Sequence, residues 1–241
     1  MGQRVVELGS VVEQGGVVEQ GGAVQVVVVA GGGPLSPQAI DAVSEGSFII
    51  AADSGLDHAV AAGLVPDVLV GDLDSISAAG RMWAYEHGAE IEEHGPDKDL
   101  TDTELAIARA LQVPGVSDLV LLSGTAGTDE RLDHLLGILL ALGHPSLCAL
   151  KSVRVVIGTT RFQVLHAGCN ATLDVDRGQQ FSLLALHGQC AGVNLSGARW
   201  PLTDATLTAS EARGLSNEAN STPESKTEVS VQTGVLTVVI P

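Results

Sequence analysis

VQVVVVAGGG, residues 24–33, is an almost uninterrupted apolar run closed by three glycines. It reads as a strand buried on both faces, followed by a loop in which the backbone can approach a ligand. Downstream, PQAIDAVSEG (37–46) reads as a short helix and SFIIAADSG (47–55) as a second strand with its turn. LDHAVAAGL (56–64) then reads as a helix, DVLVGDLDS (67–75) as a strand, SAAGRMWAYEHG (77–88) as a helix and AEIEEHG (89–95) as a shorter, more polar strand. The alternation ends with helix LTDTELAIARALQ (100–112), strand DLVLLSG (118–124) and helix RLDHLLGILLALG (131–143). Continuous apolar strands separated by helices imply a mostly parallel open sheet with helices on both faces, because parallel neighbours need crossover connections. The expectation is an α/β nucleotide-binding and catalytic domain over residues 24–152.

Past residue 152 the character changes. VRVVIGTTRFQVL (153–165), NATLDV (170–175), QQFSLLALHG (179–188), CAGVNLSG (190–197) and VSVQTGVLTVVI (229–240) are short, turn-separated segments without helical period. They predict a C-terminal antiparallel β-sandwich domain over 153–241. Residues 1–23 repeat VVEQGG twice after a related VVELGS, too short and glycine-broken for a solenoid, and read as a low-complexity tail.

Composition narrows the function. The 241 residues include 29 acidic and 12 basic side chains, a formal charge of −17, and the basic residues form no cluster, which excludes a nucleic-acid backbone as partner. Most of the acidity reads as solubility, yet it also draws a cationic ligand. Cys148, Cys169 and Cys190 form no CxxC pair, which argues against a disulfide framework or zinc site and for a reducing cytoplasm. No run is long and apolar enough for a membrane span or a signal peptide, so a soluble, untargeted protein is expected.

Ligands of an open α/β sheet collect outside the carboxyl ends of its strands. Asp53 ends one strand, Asp72 and Asp74 end another, and DKDLTD places Asp99 and Asp102 beside the next helix. Singly, each reads best as a turn or helix cap. Together they read as a Mg²⁺ site, since carboxylates two apart on a strand share a face and repel unless a cation lies between them. The Gly31–Gly33 loop matches neither common phosphate-loop pattern. Arg131, Asp133 and His134 open a helix, where Arg131 suits a phosphate or a surface acid. Trp200 stands in a turn of a chain with 2% aromatic residues, and its ring suits core packing or a flat cation.

AADSG (51–55), GDLDS (71–75), DKDLTDTELAIA (97–108), RLDH (131–134), FSLLAL (181–186), GARWPL (197–202) and GLSNE (214–218) follow one another in an order that resembles the thiamine pyrophosphokinase (thiamine diphosphokinase) family. The resemblance implies an α/β domain followed by a β-sandwich, in a homodimer whose active sites lie between subunits. It implies transfer of a diphosphoryl group from the co-substrate ATP to the hydroxyl of thiamine, giving thiamine diphosphate and AMP. By position, Asp72, Asp74 and Asp102 look like the catalytic and Mg²⁺-holding carboxylates. Asp53, Lys98, Asp99, Thr101, Arg131 and Asp133 look like the ATP and phosphate side, and Trp200, Ser216 and Asn217 like the thiamine side. The chain departs from the family's pattern at Thr128, Asp129 and Glu130, which lengthen the loop before Arg131, at Ile138 where Asn is common, and at Ala185 where Pro is common. A diphosphokinase for a pterin alcohol and a non-catalytic sensor of thiamine diphosphate or nucleotide are the alternatives. A phosphatase of the haloacid-dehalogenase type, with Asp72 as nucleophile, is disfavoured because the D-x-D sits on the third strand.

Overall fold

The computed structural model describes residues 23–125, 132–220 and 226–241. The tail repeat and residues 126–131 lie outside these residues, and so do the expectations attached to them. Six strands, β1 (Val24–Val29), β2 (Phe48–Ala52), β3 (Val68–Gly71), β4 (Glu90–Glu93), β5 (Val116–Ser123) and β6 (Ser152–Ile157), run parallel in the order β6-β5-β1-β2-β3-β4. The crossovers carry α1 (Pro37–Asp41), α2 (Gly55–Ala61), α3 (Ala78–His87), α4 (Asp102–Ala110) and α5 (Leu132–Ala141), with a 3-10 turn at Pro145–Ala149 before β6.

The valine run of β1 explains the layering. Val26 and Val28 pack with Ile50, Leu119 and Leu121 beneath α4 and α5, while Val27 and Val29 pack with Ile49, Val120 and Leu122 beneath α1 and α2. All four valines are fully buried, as period-two alternation requires of a strand covered on both faces. Helix α2 begins against the sheet at Gly55, where a Cβ would stand 2.0 Å from the Val29 carbonyl oxygen. Helix α1 is half the length its sequence suggested, because Ala42 already caps it and the chain turns through Ser44–Ser47 into β2.

The sheet does not stop at residue 152. After β6 the chain turns through Gly158 and returns as β7 (Thr160–Leu165), antiparallel to β6; β14 (Leu236–Ile240), β9 (Gln180–Leu184) and β12 (Asn217–Glu218) extend it to ten strands. A four-stranded antiparallel sheet of β11 (Leu202–Leu207), β10 (Cys190–Ser196), β13 (Glu228–Ser230) and β8 (Asn170–Thr172) packs against this extension. Phe181, Leu183, Leu236 and Val238 from the large sheet meet Val193, Leu195 and Val229 from the small one. The expected α/β region and antiparallel sandwich are both present, and they share one continuous sheet.

Candidate active site

The carboxyl ends of β1, β2, β3 and β5 open into a cavity of about 610 Å³, lined by the Gly31–Gly33 loop, Asp53, Ser75, Thr101, Asp102, Ser123 and the first turns of α5. Each strand ends abruptly there. Asp53 leaves β2 with φ 46° while its N–H still bonds the Val70 carbonyl at 2.9 Å, and Leu73 turns the chain after β3 with φ 61°. Left-handed backbone at residues other than glycine is uncommon and needs surrounding contacts to hold it. Gly71 has φ 148°, and a Cβ there would lie 3.0 Å from Asp102 Oδ1 and 3.1 Å from the Asp53 Cβ, so the absent side chain lets the carboxylates converge.

Oxygens of Asp53, Asp72 and Asp74 lie within 4.8 Å of one another. Asp53 is buried; Ser75 Oγ donates to its Oδ2, and among the described residues its buried Oδ1 has no partner. Lys98 Nζ donates to Asp72 Oδ2 at 3.2 Å and to Asp102 Oδ1 at 2.7 Å, placing one positive charge between two carboxylates. The mutual charge is visible in the titrations. Asp74 is raised above the ordinary carboxylate pKa, first by the Asp72 charge, then by burial and by Asp53 and Asp102. Burial acts to raise Asp72 too, but the Lys98 ammonium and the Asp74 N–H outweigh it, and Asp72 stands below its ordinary value. For Lys98, burial acts to lower the pKa and the two carboxylates raise it on balance. An orphaned buried carboxylate oxygen beside two further carboxylates, all hard oxygen donors, fits a hard divalent cation.

Asp102 begins α4, and Thr101 before it forms a capping box: Thr101 Oγ1 accepts from the Glu104 N–H at 3.2 Å while Glu104 Oε2 accepts from the Thr101 N–H at 2.8 Å. Asp133 lines the cavity from α5, Asp99 is exposed beside Lys98, and Arg131 lies outside the described residues. Three contributors carry no expectation from the sequence. Ser75, inside the GDLDS stretch, orients Asp53. Ser123 Oγ donates to the Gly31 carbonyl at 2.6 Å, and the Gly33 N–H donates to His58 Nε2 at 3.2 Å. Burial lowers the His58 pKa against the pull of Asp57, which favours the neutral ring that accepts from the Gly33 N–H.

Trp200, Ser216 and Asn217 gather elsewhere. The Trp200 N–H donates to Asn217 Oδ1 at 3.2 Å and Asn217 Nδ2 to the Trp200 carbonyl at 2.8 Å, so Asn217 fixes the turn that presents the indole. Trp200 is 52% exposed, and the Arg199 guanidinium already sits 4.6 Å from its ring centroid, so this face accepts a cation. Ser216, with φ 56°, donates its N–H to Ser182 Oγ at 3.1 Å. Asn217 begins β12, with Ser216 just before it and Trp200 hydrogen-bonded to it; β12 is seven strands from β2, about 34 Å along the sheet at the usual strand spacing.

The profile of the thiamin pyrophosphokinase catalytic domain matches residues 40–157, and that of the thiamin pyrophosphokinase vitamin B1 binding domain matches residues 170–236. The chain belongs to the thiamin pyrophosphokinase family. The family match spans both sheets and includes every strand end that bears an acidic residue of the cavity. A thiamine pyrophosphokinase of Bacillus subtilis is 25% identical over 197 residues, covering 80% of this chain and 89% of that protein. Crystal structures share the fold. The Bacillus subtilis enzyme superposes with a TM-score of 0.72 at 23% identity over 90% of this chain and 98% of its own. The yeast thiamin pyrophosphokinase gives 0.66 at 12% identity over 91% and 87%. Ile138 is buried in the cavity wall and presents an apolar side chain there.

Proposed function

We propose that the chain is a thiamine diphosphokinase, transferring a diphosphoryl group from ATP to the hydroxyl of thiamine and releasing AMP. The observation that carries the reading is the convergence of Asp53, Asp72 and Asp74, with its unpartnered buried oxygen, at the mouth of the 610 Å³ cavity in a chain of this family. The thiamine oxygen bonds to the β-phosphorus of ATP, the bond from that phosphorus to the α-phosphate's bridging oxygen breaks, and AMP leaves with the electron pair. The hydroxyl proton passes to a carboxylate of the group. Such transfer depends on in-line placement and on neutralising phosphate charge. Asp53, Asp72, Asp74 and Asp102 would hold Mg²⁺, which supplies positive charge to the phosphate oxygens. Lys98 is placed to turn from the carboxylates toward the phosphates, and the glycine loop offers backbone N–H groups.

Trp200 would take the thiamine cation on its face, with Ser216 and Asn217 shaping the turn. No single copy closes a gap of about 34 Å, so the reading includes a homodimer in which each thiamine turn completes the partner's acidic cleft. The exposed Leu132, Leu136 and Leu140 on one face of α5, beside the cleft, support a second copy as the covering surface. Among the described residues no helix is long and apolar enough to cross a membrane, and the three cysteines are unpaired, which supports a cytoplasmic setting.

The test is incubation of the purified protein with ATP, Mg²⁺ and thiamine, followed by chromatography of nucleotides and thiamine esters. Equal amounts of AMP and thiamine diphosphate, formed only with both substrates, establish the reaction. ADP or free phosphate in their place overturns it, and bound thiamine without turnover identifies a sensor.

A further inference from the structure

A second cavity, of about 700 Å³, opens where α1 stops covering the large sheet and the small sheet begins. Its floor is β6 and β7, one wall is α1 and the other is β8; none of its lining residues lines the acidic cleft. Val153 and Val155 face α5, so Arg154 and Val156 face the opposite side, into this groove.

The register pairs Arg154 with Gln163 and Val156 with Arg161, so Arg154 and Arg161 are diagonal neighbours on one face. Their Cβ atoms are then roughly 7 Å apart. Arg161 is fixed in place: Nη1 donates to Asp174 Oδ2 at 2.7 Å and Nη2 to the Asp174 carbonyl at 2.8 Å, leaving three of a guanidinium's five N–H donors. Arg154 is half-buried and, among the described residues, makes no hydrogen bond or ion pair with its side chain, although the chain carries 29 acidic side chains. Asp174 is engaged by Arg161, Asp41 stands exposed at the rim, and the terminal residue Pro241 also lines the groove.

We propose that this groove binds the phosphate group of a small phosphate monoester. Eight open N–H donors, five on Arg154 and three on Arg161, exceed what one carboxylate accepts but suit three phosphate oxygens carrying close to two charges. Gln163, Gln179 and Thr159 add neutral donors around them, and Val156, Leu173 and Ile240 give an apolar surface for the rest of the molecule.

Inorganic phosphate is the probe, followed by ³¹P line broadening in EDTA at ionic strength held constant with sodium chloride. Without metal the carboxylates of the acidic cleft repel anions, and Lys98→Gln removes the ammonium held between Asp72 and Asp102. Saturable broadening is expected in the wild type and in Lys98→Gln, with at least tenfold weaker affinity in Arg154→Gln. Gln163→Glu, which sets a carboxylate opposite Arg154, is expected to weaken binding as much and serves if Arg154→Gln does not fold. Absence of saturable broadening in the wild type overturns the proposal. So does loss of binding in Lys98→Gln, or its persistence in either groove variant.

Discussion

Asp72 and Asp74 flank Leu73, whose left-handed backbone turns both carboxylates toward Asp53. Two consequences separate chemistry from stability. Asp72→Asn is expected to lower kcat by two to three orders of magnitude, the scale of removing a charge-positioning group, with an unchanged far-UV circular dichroism spectrum. Asp74→Asn is expected to raise the melting temperature of the metal-free protein at neutral pH. The folded Asp74 pKa lies above the unfolded value, so its contribution favours the fold below about pH 4 and is lost as pH rises through the folded titration. The neutral amide removes that loss, and the gain should vanish near pH 3, where Asp74 is protonated in both states. Asp72 runs the other way: its lowered pKa adds stability above the ordinary carboxylate range, lost as pH falls through its folded titration. Melting curves with and without Mg²⁺ across this range measure both. At the other end of the sheet, Trp200→Ala is expected to raise the KM for thiamine about tenfold, the value of one partly desolvated cation–π contact, and to leave the KM for ATP within twofold.

Helix α4 joins local stability to the cleft, because Thr101 caps it and Asp102, its first residue, pairs with Lys98 in the segment just before it. Thr101→Ala is expected to cost about 1 kcal/mol in urea unfolding and to lower turnover by loosening Asp102, whereas Thr101→Ser keeps the hydroxyl and both properties. Legibility also varies by element. Strands such as VQVVVV and FIIAA were readable because burial on both faces leaves an apolar run, and the acidic strand ends because ligands gather there. LTDATL was not readable as β11: three of its six residues are exposed in an edge strand of the small sheet, so it reads like the turn before it. The extension of the sheet through β6 and β7 was equally hidden, since pairing partners are chosen by tertiary packing and not by the local pattern. Asp53 joins the carboxylate group only because its φ is 46° and Gly71 has no side chain, and neither condition is written in a spacing rule.

The ten-stranded sheet sets the molecule's largest constraint, for the acidic cleft lies in its parallel half and the indole turn beside β12 at the far edge. If catalysis needs both, each must come from a different copy, and two crippled chains should repair each other. Asp72→Asn lacks a working cleft but keeps Trp200, while Trp200→Ala keeps the cleft. Mixed in equal amounts and allowed to exchange subunits, half the dimers pair one chain of each kind. In each of those dimers one site combines an intact cleft with an intact indole, so about a quarter of all sites should match the wild type. Assayed at thiamine well below the wild-type KM, the mixture should therefore exceed the mean of the two separate variants. Leu136→Asp, which charges the exposed row on α5, is expected to shift the chain to a monomer by light scattering and to abolish this recovery. Activity equal to the mean, in a mixture shown to exchange subunits, would place both groups in one chain's site and overturn the shared-site reading.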